Sequence, residues 1–79
     1  MLSLLRQPVV SQATGMARPT LYEAMAEGLF PRPIKRGPKF AAWPEHEVRA
    51  VIAARIQGKS KDEIKTLVSE LTEARKNCA

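Results

Sequence analysis

The chain has 79 residues, 44% of them hydrophobic, with a formal net charge of +5 and a pI of about 9.9. That length holds one domain around one modest core, and the basic balance favours a polyanionic partner. A single cysteine, Cys78, excludes a disulfide framework and a cysteine metal cluster; the apolar start at residues 1–5 is broken by Arg6, far short of a signal-peptide core or a membrane span, so an intracellular, cytoplasmic protein is expected.

Taken in order, Leu4 and Leu5 read as a short edge strand or an extended lead that buries two side chains. Pro8 suits the first turn of a helix over about residues 8–14, where its missing N–H is no loss. Val9, Val10 and Ala13 supply the apolar side of that helix, and Gly15 permits a tight turn after it. Residues 18–27 then read as a second short helix. Leu21, Ala24 and Met25 recur on one face and should be core. Pro19 and Glu23 project from the opposite face, with Thr20 and Tyr22 on the flanks. Arg18 stands at the N-terminal end, where unpaired N–H groups and the helix dipole favour a phosphate. Gly28 stops this helix by admitting a positive φ. A helix, a glycine turn and a second helix make a helix-turn-helix, whose second helix can enter a major groove.

Two alternating prolines, Pro31 and Pro33, then hold the chain extended. Residues 34–35 and 40–43 read as two short strands around Arg36, Gly37, Pro38 and Lys39, a candidate wing. Residues 29–43 carry Arg32, Lys35, Arg36 and Lys39 and no acid, whereas residues 45–79 carry seven basic and six acidic side chains. One sign of charge concentrated on one segment is the footprint of a nucleic-acid binder, the bland alternative being a basic loop that keeps the chain soluble. All four aromatics lie between residues 22 and 43. Phe30 and Trp43 are read as a clamp holding the wing to the helices in preference to a stacking platform for single strands. Tyr22 has two readings, a half-buried ring with its hydroxyl in water or a phosphate contact.

Pro44 starts a third helix, with Glu45 and Glu47 in the first turn, where the dipole favours acids. Val48, Val51, Ile52 and Ile56 form its apolar stripe, and Gly58 ends it. His46 has no evident ligand partner and reads as a surface residue. Ser60 and Glu63 are spaced as a capping box. They open a fourth helix to about Lys76 with a stripe of Ile64, Leu67, Val68 and Leu71. The expected architecture is mainly α with a small β-hairpin wing. A winged helix-turn-helix occupies residues 1–58, and an added amphipathic helix at 59–79 packs on it or on a second protomer.

Several of these residues carry a resemblance. Gly15, Met16, Arg18, Thr20, Leu21, Tyr22, Glu27, Gly28, Phe30, Pro31 and Trp43 look like the pattern of the AlpA family, over about residues 4–56. Those are small phage and prophage regulators with an excisionase-like or MerR-like winged helix. The resemblance implies recognition of double-stranded DNA by the second helix. It also implies service to a mobile element, as a transcription factor or as an excisionase.

No catalytic constellation, metal site or cofactor motif is visible, so binding and not catalysis is expected. The DNA-binding residues expected are Arg18, Pro19, Thr20, Tyr22 and Glu23 on the second helix and Lys35, Arg36 and Lys39 on the wing. Arg18 has a phosphate or a guanine edge as its target. Glu23 is either a solubilising acid or an acceptor for a cytosine amino group. A single small module buries only about 600–1,000 Å² on DNA, so a homodimer or cooperative oligomer is expected there. Two other readings remain open: an inhibitor that docks the C-terminal helix on a host protein, and the DNA-recognition piece of a packaging machine.

Overall fold

The computed structural model describes residues 3–77, and Cys78 lies outside them. In chain order the elements are β1 (Leu4–Arg6), α1 (Gln7–Thr14), α2 (Arg18–Ala26), β2 (Ile34–Lys35), β3 (Ala41–Pro44), α3 (Glu45–Ile56) and α4 (Lys61–Ala74), ending in a 3₁₀ turn at Arg75–Asn77. The three strands form one antiparallel sheet in the order β1-β3-β2. Leu5 pairs with Trp43 and Arg6 with Ala42 across one side of β3, and Ile34 pairs with Ala42 across the other. The lead segment is thus an edge strand that widens the wing into a small sheet. This is a winged helix-turn-helix with an added C-terminal helix.

Local chemistry accounts for each helix boundary. Pro8 lies in the first turn of α1, and Gly15 closes the helix at φ +74°, donating its N–H to the Ser11 carbonyl at 2.9 Å. The Thr14 hydroxyl donates to the Val10 carbonyl at 2.8 Å and accepts from the Met16 N–H at 3.3 Å, which sets the turn into α2. Gly28, at φ +77°, ends α2 as expected. At α4 the capping box is complete: the Glu63 N–H donates to Ser60 Oγ and the Ser60 N–H donates to Glu63 Oε1. The bond from the Ser60 backbone N–H, then the Ser60 side chain and the nearby Lys59, hold the Glu63 carboxyl below its ordinary range. Ser60→Ala should cost about 1 kcal/mol, seen as a fall of about 4–8 °C in the thermal midpoint.

One core joins all four helices to the sheet. Trp43, Phe30, Leu21, Val10, Val48 and Val51 are fully buried, and Ile64 and Val68 of α4 belong to the same cluster. Phe30 and Trp43 meet edge to face with centroids 6.2 Å apart, and the indole N–H donates to the Pro31 carbonyl at 2.8 Å. The aromatic clamp therefore joins the post-α2 segment to β3.

Four sequence expectations need correction. In α1 only Val10 is buried; Val9 and Ala13 are exposed, because Leu5 and Met16 flank Val10 and fill the space instead. In α3 the buried face is Glu47, Val48, Val51 and Ala54, and Ile56 is 80% exposed. Ile56 lies opposite that face at about 100° per residue. Glu47 is not a solvated first-turn acid but is fully buried. The α-helical hydrogen bonding of α4 stops at Ala74, and Arg75 and Lys76 continue in the 3₁₀ turn.

Candidate nucleic-acid interface

The second helix of the helix-turn-helix buries Leu21, Ala24 and Met25 and exposes Arg18, Pro19, Thr20, Tyr22 and Glu23. Its N-cap position is Ala17, which offers no side-chain acceptor, so no side chain caps the N–H groups of the first turn. The Arg18 guanidinium lies over the Tyr22 ring, 5.6 Å from its centroid. At i and i+4 the two side chains share one flank, leaving Thr20 on the other. Tyr22 is 38% exposed.

The wing projects from the sheet. Its tip is closed by the Arg36 N–H donating to the Phe40 carbonyl at 3.3 Å, and Gly37 turns at φ +87°. Lys35, Arg36 and Lys39 are all exposed. Tyr22 and Lys35 line one groove of about 360 Å³ between α2 and the wing, together with Met25, Ala26, Arg32 and Pro33. The expected residues on the two elements therefore meet through Tyr22 and Lys35. Among the described residues no hydrogen bond or ion pair joins Pro19, Thr20 or Glu23 to the wing.

Charge pairing divides the molecule. The ion pairs among the described residues are Arg49–Glu45, Lys59–Glu63, Arg75–Glu47 and Lys76–Glu73, all within α3, α4 and their ends. Arg6, Arg18, Arg32, Lys35, Arg36 and Lys39 have no acidic partner among the described residues. Those six lie on β1, α2 and the segment that builds the wing.

Sequence reading missed Arg6 and Arg32 as members of this surface. The Arg6 guanidinium lies over the Phe40 ring, 4.9 Å from its centroid, so a strand at the far end of the chain adds a cation at the base of the wing. The only signal for Arg6 is its place in a strand whose partner is revealed by register. Arg32 belongs to the acid-free run, and its place in the groove depends on the path of the loop after α2.

Other sites are poorer candidates. Among the described residues no three His, Cys, Asp or Glu side chains come together to hold a metal ion. His46 is exposed at an apolar cleft beside Leu4, Ile34 and Pro44. Among the same residues no helix is long and apolar enough to cross a membrane.

A family model described as the prophage CP4-57 regulatory protein (AlpA) matches residues 3–56, which runs from β1 to the end of α3. The chain is also similar to an uncharacterized protein, ORF88, of Enterobacteria phage P4: 40% identical over 57 residues, covering 72% of this chain and 65% of that protein. The match thus spans slightly less than two thirds of that relative's length. No solved structure matches the chain.

Proposed function

The chain belongs to the AlpA family of prophage regulatory proteins, and on that premise we propose that it is a sequence-specific double-stranded-DNA-binding regulator of transcription for a phage or mobile element. In this reading α2 enters the major groove, and the wing lies on adjacent phosphates or in the minor groove. Arg18, Pro19, Thr20, Tyr22 and Glu23 face the groove; Lys35, Arg36 and Lys39 hold the backbone. Phosphate contacts set register and most of the affinity, and base contacts select the sequence. The protein acts by binding, without catalysis or a cofactor.

The observation that carries this reading is the separation of charge. Cations that serve the fold have acidic partners on α3 and α4, whereas the six on the helix-turn-helix and wing side have none among the described residues. Unpaired cations at such density are a self-repelling arrangement that a polyanion relieves. The alternative of a host-protein partner for α4 has less to work with. Ile64 and Val68 are buried in the chain's own core, and Leu67 and Leu71 are half-buried against it. Service as an excisionase would use the same DNA-binding surface.

A titration of labelled random-sequence duplex at two or more salt concentrations tests the reading. With four or five phosphates engaged, log affinity should fall with log salt at a slope of roughly −4. A flat response would reject DNA as the partner.

A further inference from the structure

The groove between α2 and the wing is built on an unusually well fixed piece of backbone. Pro31 and Pro33 restrict φ on either side of Arg32. The Pro31 carbonyl accepts from the Trp43 indole at 2.8 Å, and the Arg32 carbonyl accepts from Arg75 Nη2 at 2.8 Å. Arg75 is itself held, because it forks onto the fully buried Glu47 carboxylate, with its Nε donating to Oε2 at 2.8 Å. Two successive carbonyls are thus pinned, one from the sheet and one from the C-terminal turn. The Arg32 side chain is nevertheless exposed and has no ion pair among the described residues.

Around it stand groups that suit a tetrahedral anion. Lys35 and the Tyr22 side chain line the same groove, and no acidic residue does; the remaining lining is Met25, Ala26 and Pro33. Arg32 also borders a neighbouring depression with Glu73, but the Glu73 carboxylate lies 3.0 Å from Lys76 Nζ. Positive charge runs on from the groove to Arg18, stacked on Tyr22, and along the chain to Arg36 and Lys39. A line of cations through a groove fits a chain of phosphates better than one isolated carboxylate.

We propose that this groove seats one phosphate of the DNA backbone, with Arg32 as its main cation and Tyr22 and Lys35 beside it. The proposal rests on the DNA-binding reading above and extends it to a residue outside the helix face and the wing tip. It also gives the C-terminal segment a part in binding, since Arg75 and Glu47 act as positioning residues for Arg32. A cation held in place before binding loses less conformational entropy on contact.

The test is fluorescence anisotropy of labelled duplex, specific and random, with wild type, Arg32→Gln and Tyr22→Phe across a salt series. One lost phosphate contact makes the slope shallower by about 0.9, which at about 0.1 M salt is roughly eightfold in affinity. Arg32→Gln should show that loss on every sequence while melting at the wild-type temperature, because the side chain that changes is exposed. Tyr22→Phe should show a smaller loss, equally blind to sequence. If Arg32→Gln binds as wild type does while wild type keeps its steep salt slope, the groove is empty on DNA and only this proposal falls. A loss confined to one sequence would make Arg32 a base reader and overturn the phosphate seat. No salt-dependent binding by wild type would overturn the DNA reading itself.

Discussion

Arg75→Ala is expected to lower folding stability by about 3 kcal/mol or more, the largest effect of any single substitution in the chain. Glu47 has no accessible surface, and its two oxygens are bound by the Arg75 guanidinium. Removing the arginine leaves a buried carboxylate without a counter-charge, which costs about 3–5 kcal/mol. The Arg75 side chain is 24% exposed, so water can follow the deletion and the lower end applies. A domain of this size holds roughly 4–12 kcal/mol in all, so the variant should melt more than about 12 °C lower. Arg75→Lys keeps the charge but loses the fork and should fall between the two. Replacing both partners with leucine should restore much of the loss, since the penalty is for the orphaned charge more than for the missing bond. A thermal midpoint for Arg75→Ala within a few degrees of wild type would mean that the ion pair does not hold α3 to the C-terminal turn in solution.

That pair was also the part of the fold least legible in the sequence. Its partners are 28 residues apart, and an acid in the first turn of a helix already has a sufficient local explanation in the dipole. Features whose physics is local were readable: Gly15 and Gly28 as helix ends, Ser60 with Glu63 as a box, and the α4 stripe, whose four positions all face the core. Ile56 misled because period alone does not fix which rotation of α3 is buried; α4 packs over α3 beside Ala50, Ala53 and Ala54, small residues that carry little hydrophobic signal. The candidate site divides in the same way. The cations of the wing and the exposed face of α2 follow from spacing, whereas Arg6 enters through strand register and Arg32 through the pinned loop.

Changing Lys35, Arg36 and Lys39 together to alanine is expected to weaken DNA binding by two to three orders of magnitude while leaving the fold intact. Each phosphate contact contributes about 0.9 to the salt slope, so three contacts contribute about 2.7, or on the order of 500-fold at about 0.1 M salt. The loss should be nearly equal for specific and random duplex, because contacts to the backbone carry little sequence information. Stability should hardly move, since all three side chains are exposed and none forms an ion pair among the described residues. The hairpin itself rests on other groups: the Arg36 N–H to Phe40 carbonyl bond is backbone, Gly37 supplies the turn, and Ala41 and Ala42 keep their pairing with β2. Removing three like charges from one loop should even relieve some repulsion, and a small rise in thermal midpoint is the sign to look for. Native circular dichroism with undiminished affinity would take the wing off the DNA, leaving α2 as the only reading element. A loss on the specific site alone would assign the wing to base recognition in the minor groove and not to phosphate.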